Sequence, residues 1–324
     1  MDENNPPSRE DVEACYRVLL GREPENEDAI NWHLRNKTLK DLLRSFVKGA
    51  EFESRFGIFR TGMYLDATEQ NVEVDASSDQ MKELLERTAI TWGELGFNEP
   101  HWSVLTDEAF KRGNISANKD AFYQTGVDEI QRVRALLNRN GIDFNKAWTA
   151  LDFGCGVGRL SSALADHVGH VHGVDISRGH IRSAKYYMDN LGKENVSFIQ
   201  IQTVEAVEDL PKVDMLLSLI VLQHNSPPVI NAILIRLLKC LNPGGVAVFQ
   251  IPVYRFNYQF SVERYLATLR SLNMEMHTLP PRNIFKAISD AQCDVLEVRE
   301  DLHAYMHDII SQTFLVQRRA ATHE

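Results

Sequence analysis

Nine consecutive residues, Leu151-Asp152-Phe153-Gly154-Cys155-Gly156-Val157-Gly158-Arg159, join an apolar run to three glycines spaced two apart. The run stops at Phe153 and a helical pattern follows at once, so the segment reads as strand, tight turn, helix. Backbone N–H groups at the start of that helix face any ligand that approaches closely, which suits an anionic or nucleotide-like group. Glycine also serves tight turns for conformational reasons alone, so the loop needs support from elsewhere.

Two features supply it. The dinucleotide fingerprint requires a third glycine three residues after the second, and here that position is Arg159, which disfavours NAD or FAD. The next apolar run, HVHGVDI, carries Asp175 about twenty residues further on, where a carboxylate at a strand tip accepts hydrogen bonds from both hydroxyls of a ribose. A cap on the helix after Ser177 is the competing reading of Asp175. Further along, His224 follows a fourth apolar run and Tyr254 a fifth, so both belong to the edge of the sheet where open α/β folds bind ligands. His224 is the candidate general base. Alternatively, Gln223-His224-Asn225 closes a turn before the helix entered by Pro227-Pro228.

The elements that must hold these residues fall into distinct stretches. Residues 8–60 are helical in period, with Ser8 and Asp11 spaced as a capping box and a second helix opening at Thr38-x-x-Asp41. That helix has the stripe Leu39, Leu42, Leu43, Phe46 and Val47. Residues 61–80 are polar and aperiodic and read as a linker. Helices follow over 81–140, with Met81, Leu84, Leu85 and Thr88 in one and Ile130, Val133, Leu136 and Leu137 in another. From 141 to 324 short apolar runs alternate with helical stretches, the grammar of a parallel sheet built from βαβ units. AWTALDF, HVHGVDI, VSFIQI, VDMLLSLIV and GGVAVFQIP are five strands; VLEVRE and TFLVQRR, after a helical insertion near 261–291, are two more.

Composition excludes several classes. With 324 residues, 44% hydrophobic and 9% aromatic, the chain has material for a packed core, which rules against disorder and coiled coil. Its 35 basic and 45 acidic residues give −10, and no basic run offers phosphate contacts, so nucleic acid is not an expected partner. Cys15, Cys155, Cys240 and Cys293 show no CxxC or CxH spacing for zinc or a redox dithiol, and such sparse use fits a reducing compartment. The N-terminus lacks a signal-peptide stretch and the apolar run near LLSLIVL is far shorter than the ~20 residues of a membrane span, so a cytoplasmic protein is expected.

LDFGCGVGR, GVDIS, LSLIVLQH and LKCLNPGGVAVFQIP, in that order and spacing, closely resemble the motifs of class I S-adenosylmethionine-dependent methyltransferases over roughly residues 117–318. The resemblance implies a Rossmann-like, mostly parallel seven-stranded sheet with an antiparallel last strand, here preceded by a small all-α domain. It also implies S-adenosyl-L-methionine as cofactor. Asp152, Gly154, Cys155, Gly156 and Gly158 then form the loop beneath its methionine part, Asp175 takes the ribose, and Ile176 lies beside the adenine. Gln202 and Thr203 stand where the family often has an Asp after the third strand, and Ser218 to Ile220 close the other side. The segment 81–140 corresponds to a lid, in which His101, Trp102 and Tyr123 shield the methyl group from water or else pack between helices.

Methyl transfer is an in-line displacement, so the acceptor must be held in line with the methyl and, if it is a hydroxyl, deprotonated; this is the work assigned to His224, with Tyr254 as a possible substrate contact. Metal-dependent relatives carry an Asp or Asn set after strands four and five; QHN and IPVYR do not reproduce it, and no metal is expected. Ser226-Pro227-Pro228 resembles the start of a motif of amino-methylating DNA enzymes, but Val229 provides no aromatic to stack on a flipped base. A further reading is a non-catalytic scaffold of this fold, which has no need of the glycine loop and Asp175. Residues 10–57 are similar to a small helical module of unknown function that often accompanies bacterial glycan-modifying enzymes, with Trp32 expected in its core. The expected acceptor is therefore a hydroxyl of a saccharide or other small metabolite, with a protein partner possible through the module.

Overall fold

Two compact units, Met1–Gly62 and Met63–Glu324, divide the chain. The computed structural model describes residues 5–47, 49, 51–52, 67–271, 273–301, 303–304 and 308–320. In the first unit, helix α1 (Arg9–Cys15) runs into a π turn over Tyr16–Leu20 and stops at Gly21, whose φ of 62° ends the helix without strain. Helices α2 (Glu27–His33) and α3 (Leu39–Val47) complete it. Ser8 and Asp11 form the expected capping box, and the Asp41 N–H donates to Thr38 Oγ1. The core is built on Val12, Tyr16, Ile30, Leu42 and Phe46. Two expectations fail here. Leu43 and Val47 of the α3 stripe are exposed, and Trp32 is 58% exposed. The half-buried His33 beside it stacks on Phe46 at 4.2 Å, and the Trp32 ring packs edge-on against His33.

The second unit opens with residues already packed against its core. Residues 61–66 of the expected linker lie outside the described residues, but from 67 the chain is not a free connector. Val72 is buried and bridges to Phe260, and Gln70 donates to the Arg255 carbonyl. Two long helices follow, α4 (Ser78–Asn98) and α5 (Ile115–Arg139). The α/β part runs β1 (Thr149–Phe153), α6 (Arg159–Leu164), β2 (His170–Asp175), α7 (Arg178–Leu191), β3 (Val196–Gln200), β4 (Val213–Ser218), α8 (Pro227–Lys239) and β5 (Leu241–Arg255). It ends with α9 (Val262–Ala267), α10 (Pro281–Asp290), β6 (Cys293–Asp301) and β7 (Ile309–Arg318).

The seven strands lie in the order β3-β2-β1-β4-β5-β7-β6. β1 to β5 pair in parallel, and β7 is antiparallel to both of its neighbours. Both faces of the central strands are covered, which is why they read as unbroken apolar runs. Leu151, Phe153, Leu216 and Phe249 pack with α4, α8 and α10 on one face, while Ala150, Met215, Leu217 and Val248 pack with α5 and α6 on the other. Chain order reverses between β1 and β4, so a crevice opens at their carboxyl ends. Among the described residues no helix is long and apolar enough to cross a membrane.

Glycines let the upstream helices sit close to this layer. A Cβ on Gly96 of α4 would lie 2.2 Å from Ser177 Oγ, and one on Gly179 of α7 would lie 2.5 Å from the Gly96 carbonyl. Gly93, one turn earlier in α4, faces open space. Gly96→Ala is expected to destabilise the protein by roughly 1–3 kcal/mol through overpacking, whereas Gly93→Ala should stabilise it by up to about 1 kcal/mol. Thermal melts of the two variants check this; equal melting temperatures would mean that the α4–α7 contact carries no weight.

Candidate active site

At the crevice, β1 delivers Phe153 and the chain then folds back across the end of β2. The Gly154 and Cys155 N–H groups both donate to the Val174 carbonyl, at 2.7 and 3.0 Å. The Gly156 N–H donates to Asp175 Oδ2 at 2.8 Å, and the Ser177 N–H to Oδ1 of the same carboxylate at 2.7 Å. The loop amides at 154, 155 and 156 are therefore spent inside the protein, contrary to the expectation that they face a ligand. The missing side chains instead let Val221 and Val104 pack down onto the loop. Gly154 and Gly156 have φ of 77° and 53°, a region that favours glycine, and a Cβ on Gly154 would strike Val221 at 2.3 Å.

The loop floors a cleft of about 910 Å³ counted out to its mouth. Of the residues expected at the cofactor, Asp152, Gly154, Cys155, Gly156, Asp175, Ile176 and Ile220 line it. Gly158 does not; it ends the turn, with φ 79° and its N–H on the Cys155 carbonyl. Gln202 and Thr203 do not either: both are exposed, Thr203 Oγ1 accepts from the Ala206 N–H, and the apolar Ile201 turns inward in their place. Ser218 lies beneath the wall, fully buried, its hydroxyl without a partner. Ile220 is held at φ 61°, an uncommon conformation for a β-branched residue, by its N–H bond to Gln250 Oε1.

Two carboxylates thus stand in one cleft wall. Asp152 is 2% exposed and accepts from Ser161 Oγ at 2.6 Å. Burial pushes its pKa up to about 6, with Asp175 adding to the rise and the Ser161 hydrogen bond and Arg159 opposing it. A buried acid in this state favours a cationic neighbour.

The segment 81–140 does line the cleft, but with other side chains than the three expected. His101 and Tyr123 pack into a ring cluster with Phe122, and the Tyr123 hydroxyl donates to the Val157 carbonyl. Trp102 lies under Lys111. None of the three lines the cleft. Their neighbours do: Ser103 Oγ is hydrogen-bonded to His180 Nε2 at 2.9 Å, and Val104 covers Gly156. Helix α4 adds Leu85, Thr88 and Trp92, spaced three and four apart, a helical stripe visible in the sequence. Ser103 and Val104 carry no comparable signal.

His224 lines the cleft beside Trp92, ring centres 4.9 Å apart. Its Nδ1 is 2.9 Å from the Glu275 carbonyl and so must carry a proton, leaving Nε2 as the acceptor, 3.3 Å from the Gln223 amide nitrogen. Gln223 is fixed in turn by Gln250. Burial pushes the His224 pKa down to about 4, so the ring is neutral at pH 7. Tyr254 stands elsewhere: it is buried, donates to the Thr68 carbonyl at 2.8 Å, and does not reach the cleft. Its strand continues to Arg255, which takes Tyr254 past the crevice. Beside Trp92 and His224 is a second, shallower cavity, about 300 Å³ counted out into open solvent, sharing Thr88, Trp92 and His224 with the first. Its remaining walls are Arg87, Thr91, Tyr265, Arg270, Ser271, Asn273 and Glu275.

Comparison with known proteins gives three findings. Residues 151–247 match the family model described as a methyltransferase domain. The chain is 33% identical over 126 residues to a mitochondrial ubiquinone biosynthesis O-methyltransferase of Candida albicans, and 33% identical over 124 residues to a ubiquinone biosynthesis O-methyltransferase of Idiomarina loihiensis. Those matches cover 37% and 38% of this chain and 36% and 50% of the relatives, so the chain spans half or less of the curated relatives' length. Among solved structures, magnesium protoporphyrin IX methyltransferase from Synechocystis PCC 6803 with bound SAH shares the fold. Its TM-score is 0.51 at 19% identity, over 72% of this chain and 99% of that one.

The state of Asp152 has a consequence for stability. An acid with a folded pKa above its unfolded value binds more protons when folded, so stability is full below 3.8 and falls as pH rises to about 6. Asp152→Asn should remove that slope and raise stability at pH 7 by roughly 1–3 kcal/mol. Denaturant unfolding at pH 4 and pH 7 checks it, and a variant with the parent's pH slope would refute the assignment.

Proposed function

We propose, on the premise that residues 151–247 form a class I methyltransferase domain, that the whole chain is an S-adenosylmethionine-dependent methyltransferase acting on a hydroxyl of a saccharide or another small polar metabolite. The observation that carries this reading is the pairing of Asp152 and Asp175 in one cleft, beside a glycine turn that Val104 and Val221 pack against. The donor set fits the cofactor. Asp152, buried and short of positive partners, suits its cationic amino acid end; Asp175, with lone pairs remaining after two backbone bonds, suits a ribose diol; Ile176 and Ile201 suit an adenine face. The bound cofactor supplies an electrophilic methyl group, and the protein's task is to position the acceptor and exclude water.

His224 is the base in this proposal. Its neutral ring and its Nδ1 bond to Glu275 leave Nε2 able to accept a proton once the long contact to Gln223 yields. The polar second cavity supports a hydroxylated acceptor. Four cysteines, all buried and unpaired, suit the reducing cytoplasm. The first unit, similar to modules beside glycan-modifying enzymes, is assigned to contact with a protein partner in the same context.

Calorimetric titration with S-adenosylhomocysteine tests the cofactor reading. The parent protein should bind, Gly156→Val and Asp175→Asn should each weaken binding at least tenfold and also lower the melting temperature, since one forces a side chain into positive φ beneath Val104 and the other weakens the clamp on two backbone N–H groups, and absence of heat in the parent would leave only the scaffold reading. Affinity should rise with pH up to about 6 and then level off, because Asp152 must lose its proton to hold the cation; Asp152→Asn should flatten that profile. For the base, His224→Ala should lower kcat about 100-fold with cofactor affinity unchanged. Unaltered turnover would make His224 a structural residue.

A further inference from the structure

Resting on the methyltransferase reading above, we infer that the second cavity is the acceptor subsite and that it selects a hydroxylated acceptor bearing a carboxylate or phosphate group, held by Arg270 at the cavity mouth. Position argues for the first half. Thr88, Trp92 and His224 line both this cavity and the cleft that holds the carboxylates, so a molecule seated here adjoins the cofactor cleft at His224.

Charge and chemistry argue for the second half. Apart from Trp92, the lining side chains among the described residues are polar, which suits hydroxyl groups. Of the charged side chains, Arg87 gives its guanidinium to the carbonyls of Tyr265, Leu266 and Thr268, which are neutral, and meets a carboxylate only at Glu83, 3.5 Å away. Arg270 is exposed and makes no ion pair among the described residues. Glu275 is already engaged, accepting from the Tyr265 hydroxyl at 2.6 Å and lying 3.3 Å from His277 Nε2. Two arginines against one occupied glutamate leave a positive excess, and Arg270 has the guanidinium free to take an anion in two-pronged fashion. Glu275 retains lone pairs to receive an acceptor hydroxyl.

The test uses the full chain saturated with S-adenosylhomocysteine and ligand-observed NMR titrations of three probes: glucuronate, glucose 6-phosphate and glucose. At least one anion should bind ten times or more tighter than glucose, and which one does so tells carboxylate from phosphate. Arg270→Glu should erase the preference while S-adenosylhomocysteine affinity and melting temperature stay at the parent values. Equal binding of all three probes, binding of none, or a preference that survives Arg270→Glu overturns the subsite inference and leaves the methyltransferase reading intact. Failure of the parent protein to bind S-adenosylhomocysteine removes both.

Discussion

One carboxylate organises the cofactor half of the molecule. Asp175 ends β2, and its two oxygens receive the Gly156 N–H from the loop after β1 and the Ser177 N–H from the start of α7. Charge-assisted hydrogen bonds of this kind are stronger than neutral ones, and here they tie two separate βα turns to one atom group. The crevice floor, the glycine conformations and the entry of α7 all follow from that clamp. Its remaining acceptor capacity faces the cleft, so the same side chain that shapes the site is available to a ligand.

Around this clamp, two supports of different character hold the walls. Upstream helices reach the sheet through contacts without side chains, Gly96 on Gly179 and Gly126 on Arg159, which bring backbone against backbone. The turn holding His224 is supported by buried amides: Gln250 contacts Gln223, Ser311 and the Ile220 N–H at once. A fully bonded amide network in a low-dielectric interior fixes geometry firmly, and it accounts for the unusual backbone at Ile220.

Strand positions and the glycine loop were legible in the sequence because each depends on a local signal, apolar runs covered on both faces or glycines at a forced turn, while the antiparallel last strand followed from the family resemblance. Residues whose place depends on tertiary packing were not. Trp32 read as core, yet the half-buried His33 beside it is the residue that stacks on Phe46. Of the two readings for His101 and Tyr123, packing between helices holds, Trp102 lies under Lys111, and Ser103 and Val104 reach the cleft. Gln202 matched a family position, but the strand ends two residues earlier and Ile201 turns in. Tyr254 carries no sign that β5 runs on to Arg255, and the polar composition of 67–77 concealed a segment anchored through Val72 and Gln70. Gln223 and Gln250 gave no signal either, since amides in a sequence do not announce their partners.

Arg87 joins α4 to the segment around α9 by holding three main-chain carbonyls and by lying over the Tyr265 ring. The carbonyl part of that joint is indifferent to the identities of residues 266 and 268. Evolution is therefore free to rewrite many side chains of this wall without loosening the pin that keeps it in place or disturbing the cleft that holds Asp152 and Asp175.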